Sequence, residues 1–157
     1  MDRSLIDTYE AGGEELRLAV RGLEREDLLA FPVAGTWSIQ QIVLHLMDSD
    51  LITADRMKRV IAEENPTLIG YDESKFASNL FYDEQSVADA VDIVELNRRN
   101  FAKVLRELPD AAFDRIGTHN ERGPLKLSDL LAGAVKHLQH HLKFVVDKRE
   151  KLGKLMW

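Results

Sequence analysis

Residues 35–48, with the sequence GTWSIQQIVLHLMD, contain the start of a helix and a histidine two turns inside it. Ser38 and Gln41 have the spacing of a capping box, in which each side chain bonds the backbone N–H group of the other. Trp37 lies just before this cap, where an apolar side chain can pack against Ile42 one turn into the helix. The segment therefore predicts a helix that begins next to Ser38.

Three further segments repeat apolar residues every three to four positions and are also predicted to be helices. The first of them contains the pair Gly12-Gly13, which is expected to weaken it. We expect Asp83 to cap the third helix of the chain, Pro109 to end it, and Ser128 to cap the fourth helix. Strand-like alternation is nearly absent from the sequence.

These elements predict an all-α fold. Four long helices joined by one or two long connections are typical of a four-helix bundle with a crossover. The long connection over about residues 66–82 favours a parallel arrangement of the second and third helices. A chain of 157 residues is large enough for a hydrophobic core, and we expect one domain over residues 1–157.

Composition excludes several classes of function. The formal net charge is −6 and the basic residues form no stripe, which argues against binding to nucleic acid. The absence of cysteine excludes disulfides and a thiol nucleophile of the protein itself. No apolar run approaches the roughly 20 residues of a membrane span, and the first residues lack the pattern of a signal peptide. We therefore expect a cytoplasmic protein with no membrane partner.

Three histidines are the candidate metal ligands: His45 in the second helix, and His137 and His141 in the fourth. Residues four apart on a helix project from the same face, and neutral imidazole is a common ligand of divalent metals. A third histidine from a neighbouring helix would complete a site with open positions for water or substrate. Spacing alone is also compatible with surface histidines, since the pattern is shorter than an established metal motif.

Other residues near these histidines have more open roles. Gly133 and Ala134 lie one turn before His137 and are expected to leave space for a metal between helices. Asp48 is a candidate catalytic residue that orients His45 directly or through water, or lines a polar cavity. His140 must point about 100° away from His141 and is expected at the surface or next to the ligands. His119, in a loop, could approach the open side of the site.

The chain resembles the DinB/YfiT-like superfamily. The pattern G-x-W-S followed by H-x-x-D is similar to residues 35–48, and the family's H-x-x-H-H pattern is similar to residues 137–141. The order of the predicted helices and the long crossover agree with the family. The resemblance implies a four-helix bundle in which His45, His137 and His141 bind a divalent metal.

The family also implies an activity for the site. The family's known activities include metal-dependent transfer of low-molecular-weight thiols to electrophilic small molecules, which here implies a metal-activated thiolate. Zinc or nickel is the favoured ion, with iron or manganese as alternatives. Hydrolysis by metal-bound hydroxide, and a non-catalytic metal- or ligand-binding role in stress response, remain alternatives. Relatives suggest a homodimer, and the expected partner is a small-molecule substrate.

Overall fold

Four long helices form the body of the molecule, whose computed structural model describes residues 1–156. They are α1 (Ser4–Val20), α3 (Ile39–Ala62), α5 (Val87–Glu107) and α6 (Leu127–Lys151). Two short helices, α2 (Arg25–Leu29) and α4 (Glu73–Asn79), lie in the connections. The predicted all-α four-helix bundle is therefore confirmed.

The capping box of α3 forms as the sequence predicts. Ser38 Oγ accepts a hydrogen bond from the Gln41 N–H group at 3.1 Å, and the Gln41 side-chain oxygen accepts one from the Ser38 N–H group at 3.1 Å. Two of the backbone donors that an α-helix leaves free at its start are thereby satisfied. This places the first residue of α3 at Ile39, directly after Ser38.

The helices pack as a square in which α1 lies diagonally opposite α3, and α5 opposite α6. Gln40, at the start of α3, donates to the carbonyl oxygens of Tyr82 and Gln85 just before α5. Asp50, in the middle of α3, bonds Arg98 in the middle of α5. These two levels of contact show that α3 and α5 run parallel, as a crossover connection requires.

Two predicted caps were wrong. The N-cap of α5 is Ser86, whose Oγ accepts from the Asp89 N–H group at 3.1 Å, because Asp83 belongs to a short 3-10 turn that comes first. Helix α6 begins at Leu127, and Asp129 accepts from the Lys126 N–H group at 2.9 Å. Ser128 therefore lies inside the first turn of α6, not at its cap.

A three-stranded sheet closes one end of the bundle, and the sequence did not reveal it. Strand β1 (Thr67–Leu68) pairs in parallel with β2 (Ile116–His119), which pairs in antiparallel register with β3 (Gly123–Lys126). The strands follow the ends of α3 and α5 and precede α6. Strands of two to four residues are too short to show an alternating pattern.

A buried ion pair separates two apolar clusters of the core. The cluster next to the sheet contains Tyr9, Phe101 and Phe113, and the cluster at the other end contains Leu16, Leu44 and Val145. Between them, Arg98 Nε donates to Asp50 Oδ1 at 2.8 Å, and each side chain is only 3% exposed.

The guanidinium group of Arg98 joins all four long helices. Besides its bond to Asp50 on α3, it donates to the carbonyl oxygens of Tyr9 on α1 and Ala134 on α6, at 3.1 and 3.2 Å. A Cβ atom at Gly12 would lie 2.5 Å from Arg98 Nη1. The predicted weak point of α1 is therefore the place where the absence of a side chain admits this guanidinium.

Within residues 1–156, no helix is both long and apolar enough to cross a membrane.

Candidate metal centre

The three histidines singled out in the sequence converge at the end of the bundle away from the sheet. His45 lies two turns into α3, and His137 and His141 face it from α6. Their candidate ligand atoms all lie within 4.8 Å of one another. The Nε2 atoms of His45 and His137 are 3.0 Å apart. The expected juxtaposition of α3 and α6 is therefore present.

Burial keeps these imidazoles neutral. Removal from water, together with repulsion between neighbouring imidazoles, lowers the pKa of His45, His137 and His141 from the ordinary value of 6.5 to about 4. Near neutral pH each ring therefore has a nitrogen lone pair that is free of a proton. A neutral imidazole with a free lone pair is the form that binds a metal ion.

The hydrogen bonds of the site are incomplete without a further partner. The Nδ1 atoms of His45 and His141 are buried and have no hydrogen-bond partner among residues 1–156. The Nδ1 atom of His137 lies 3.3 Å from Ser49 Oγ, which leaves its Nε2 atom directed at His45. Most buried polar atoms in proteins are hydrogen-bonded, so the unpaired nitrogens require an explanation.

A divalent metal fits this set of donors. Two nitrogen atoms bound at about 2.1 Å to one ion lie roughly 3.0–3.4 Å apart, depending on the angle between them. The separation of 3.0 Å between the Nε2 atoms of His45 and His137 falls in that range. The three candidate ligand atoms span up to 4.8 Å, so the side chains must move closer together before the three neutral imidazoles hold one ion and leave coordination positions free.

Glu73 is a residue of this site that the sequence did not single out. It begins α4, and its Oε2 atom lies 3.7 Å from His45 Nε2. Its side chain is half exposed, so the carboxylate borders both the histidines and solvent. The residue that marks the start of α4 in the sequence is Asp72. Its side chain accepts a hydrogen bond from the Lys75 N–H group at 3.0 Å and caps the helix.

Asp48 does not bond His45. Its Oδ2 atom accepts a hydrogen bond from the hydroxyl group of Tyr82 at 2.6 Å. Asp48 therefore anchors the turn that leads into α5. The residue bonded to a candidate ligand is its neighbour Ser49, which reaches His137.

The remaining predicted neighbours lie outside the cluster. His119 is at the end of β2, where its Nδ1 atom accepts from the N–H groups of Glu121 and Arg122, so it lies at the sheet and not beside the three histidines. His140 is exposed and packs its ring against Phe144 at 4.8 Å. Gly133 is also exposed with open space beside it, so it does not make room for the ion.

A cavity of 290 Å³ opens beside His141. The ring of Trp37 forms one wall and packs on His45 with ring centres 5.0 Å apart. Val33, Ile42 and Phe144 add apolar surface, and Lys148 and Asp147 lie further along α6. Trp37, which the sequence predicts to pack against Ile42, thus also forms part of the cavity wall. A small molecule in the cavity would lie against His141.

Tyr71, Phe76 and Phe81, three aromatic residues of the crossover, differ in how they pack. The rings of Tyr71 and Phe76 are 4.7 Å apart, and Phe76 packs on the apolar cluster around α3. Phe81 is 70% exposed. Phe76 therefore packs the crossover against the bundle, and Tyr71 packs on Phe76.

Known proteins are similar in sequence to this chain over most of its length. A protein of Bacillus mycoides is 29% identical over 150 residues, which span 94% of this chain and 85% of that protein. A protein of Oceanobacillus iheyensis is 28% identical over 132 residues, which span 84% of this chain and 76% of that protein. Both bear the name "putative metal-dependent hydrolase".

A solved structure has the same fold. YfiT from Bacillus subtilis, described as "a probable metal-dependent hydrolase with an unusual four-helix bundle topology", superposes with a TM-score of 0.90 at 24% identity. The match covers 96% of this chain and 86% of that protein. The family model of the DinB superfamily matches residues 8–145. This chain therefore belongs to the DinB superfamily.

Proposed function

We propose that the protein is a metal-dependent hydrolase of small molecules, with His45, His137 and His141 as the metal ligands. The observation that carries the proposal is the convergence of three neutral imidazoles at the edge of a cavity. The names of the relatives support the same reaction class. A structural metal site would instead have all of its coordination positions filled by protein side chains.

Each residue of the site has a defined task in this proposal. A divalent ion supplies the chemistry by lowering the pKa of a coordinated water molecule and polarising the bond that is cleaved. Ser49 orients the ring of His137 through its Nδ1 atom. Glu73, 3.7 Å from His45 Nε2 and open to solvent, accepts the proton that the attacking water loses. Trp37 excludes water from one side of the substrate.

Hydrolysis is favoured over thiol transfer by the relatives, whose names specify a hydrolase. Both reactions use a nucleophile activated at the same site, so one panel separates them. The protein is loaded in turn with zinc, nickel, iron or manganese and given activated esters and amides. The same electrophiles are then offered with bacillithiol, mycothiol or glutathione. Hydrolysis predicts product formation that does not depend on the thiol.

The assignment of the ligands is tested by elemental analysis. Wild-type protein is expected to retain a divalent ion after dialysis, whereas His45→Ala and His141→Ala are expected to lose it. Equal metal content in the three proteins would refute the proposed ligands. Product formation that requires a thiol would replace hydrolysis with the transferase reaction. The Glu73→Gln variant is expected to keep the metal and to lose activity, since it cannot accept the proton.

A further inference from the structure

Lys148 is a buried cation at the far end of the cavity that contains His141. The residue is only 3% exposed, although lysine is among the residues least often buried unless paired. Its single hydrogen bond goes from Nζ to Thr36 Oγ1, a neutral hydroxyl group. It forms no ion pair with any of the described residues. An ammonium group has three donors, and among the described residues only one donor of Lys148 has a partner.

The next residue shows what a structural buried cation looks like in this fold. Arg149 is 4% exposed and donates to four carbonyl oxygens, which belong to Ala19, Arg21, Lys154 and Leu155. These bonds join the end of α1 to the segment after α6, so Arg149 has a complete set of partners. Lys148 joins one loop through one bond, and its burial has no comparable compensation.

The position of Lys148 relative to the metal ligands is set by the geometry of α6. Residues 137, 141, 144 and 148 follow one another at spacings of four, three and four, which places them on one face of the helix. The backbone of Lys148 lies roughly 10 Å from that of His141 along the helix axis. The Lys148 side chain points back toward His141. Phe144 lies between them and, with Trp37 and Val33, gives this part of the cavity apolar walls.

We infer that Lys148 binds the carboxylate of an amphipathic substrate whose apolar segment crosses Phe144 and whose reacting bond lies at the histidines. This rests on the proposed function for the histidine end of the cavity. Burial lowers the pKa of Lys148, and a bound anion offsets the unfavourable desolvation of its charge. The span from Lys148 to the histidines fits a chain of about five to seven carbon atoms.

Charge in the cavity favours a carboxylate over a phosphate. Asp147 lines the same cavity and forms an ion pair with Lys151 at 2.7 Å. The lining thus has one cation without a counter-ion and one carboxylate that is already paired. A ligand with a single negative charge neutralises Lys148, whereas a second negative charge would be repelled by Asp147.

The test compares hexanoate with hexanamide, which differ in charge but hardly in shape. Isothermal titration calorimetry is done on metal-free and on zinc-loaded protein. In metal-free wild type, we expect hexanoate to bind about tenfold to a hundredfold more tightly than hexanamide, the range typical of a buried charge-assisted hydrogen bond. The Lys148→Met variant is expected to bind the two ligands equally.

Two further variants separate binding from structural roles. Lys143→Met removes an exposed cation from the same helix, five residues from Lys148, and it should retain the preference for hexanoate. Thr36→Val removes the one hydrogen-bond partner of Lys148 and should also retain it. If Lys148 only secures the loop at Thr36, then the Thr36 and Lys148 variants behave alike and the inference is wrong.

A measurement on wild type covers the case in which Lys148→Met does not fold. With ¹³C-labelled lysine, the Lys148 side-chain resonance should shift on addition of hexanoate and not of hexanamide. No preference in wild type, or a preference that appears only with zinc and persists in Lys148→Met, would overturn the inference. The titration of metal-free protein does not involve the metal. Its result therefore stays valid if the proposed hydrolase activity is refuted.

Discussion

Two buried polar clusters lie next to each other in the bundle, and only one of them is complete. In the cluster around Asp50 and Arg98, both carboxylate oxygens accept hydrogen bonds, and the guanidinium group donates to Asp50 and to carbonyl groups of two other helices. In the histidine cluster, five residues from Asp50 along α3, two Nδ1 atoms have no partner. The Asp50 cluster lies between α3 and α5, whereas the histidine cluster lies between α3 and α6.

The difference distinguishes a structural polar group from a binding site. A satisfied buried network holds its neighbours in one arrangement and leaves no donor or acceptor for a ligand. An unsatisfied cluster reduces stability until a ligand supplies the missing interactions. We therefore expect changes in the Asp50 cluster to alter folding and changes in the histidine cluster to alter binding.

The largest expected effect is that of Asp50→Ala, which leaves the Arg98 guanidinium buried without a counter-charge. Loss of one member of a buried ion pair destabilises a protein by about 3–5 kcal/mol. Urea unfolding of the metal-free protein measures it. Asp55→Ala, on the same helix but in an exposed pair with Arg59, is the control and should have a much smaller effect. Similar losses in both variants would remove the distinction between the ion pairs.

His45→Ala should have the opposite pattern. We expect metal affinity to fall more than a hundredfold, since loss of a direct ligand exceeds the effect of losing its hydrogen-bond partner. The free energy of unfolding of the metal-free protein should fall less than in Asp50→Ala, because a neutral ring is removed and no buried charge is left without a counter-charge. Equilibrium dialysis with zinc measures the affinity. His140→Ala, with an exposed ring, should bind zinc like wild type.

Acid should destabilise the metal-free protein through the same histidines. Their pKa of about 4 in the fold lies below the ordinary 6.5, so the unfolded chain takes up protons first. The histidines cause no loss of stability above pH 6.5, and the loss grows as the pH falls toward about 4. One such histidine corresponds to a loss on the order of 2–3 kcal/mol between pH 7 and 4.5.

Urea unfolding of metal-free protein at a series of pH values measures this loss. A variant with alanine at positions 45, 137 and 141 should show a flatter dependence between pH 6.5 and 4. If wild type and the triple variant lose stability in parallel, then other groups cause the acid effect and the histidines are not held neutral.

Gly12→Ala should destabilise the Asp50 cluster from the side of α1. The new methyl group would meet the Arg98 guanidinium at 2.5 Å, and overpacking of a core typically costs about 1–3 kcal/mol. Gly133→Ala, on α6, meets no atom within 4 Å and should instead stabilise the helix by about 0.5–1 kcal/mol. Thermal unfolding of both variants compares a glycine required by packing with one that is not.

The smallest expected effect is that of Ser49→Ala, which removes the 3.3 Å contact with His137 Nδ1. Loss of a hydrogen bond to a metal-binding histidine lowers affinity by about tenfold or more. Ser49→Thr keeps the hydroxyl group and should restore most of the affinity. Unchanged zinc binding in Ser49→Ala would show that Ser49 does not orient the ring.

The sequence was most informative where chemistry is local. The start of α3 followed from two side chains three residues apart, Ser38 and Gln41, and the pairing of His137 with His141 followed from helical spacing. The approach of His45 to them required a resemblance to a family, since it depends on how α3 and α6 pack. Local pattern and family order together were enough for the bundle and the three histidines.

The features missed in the sequence depend on contacts between distant segments. Glu73 reaches the histidines because the crossover folds back over α3, and nothing in its neighbourhood predicts that path. Arg98 looked like one of many charged residues on an amphipathic helix, and its burial depends on Gly12 and Asp50. The short strands around His119 form only because the ends of two helices bring them together.

The separation of 92 positions along the chain between His45 and His137 has a further consequence for folding. An ion held by both would act as a reversible cross-link across most of the chain, and such links restrict the unfolded ensemble the more, the longer the loop that they close. An ion that binds only the folded chain adds its binding free energy to stability. The cluster can form only after the last helix has docked, so metal uptake reports completion of the fold.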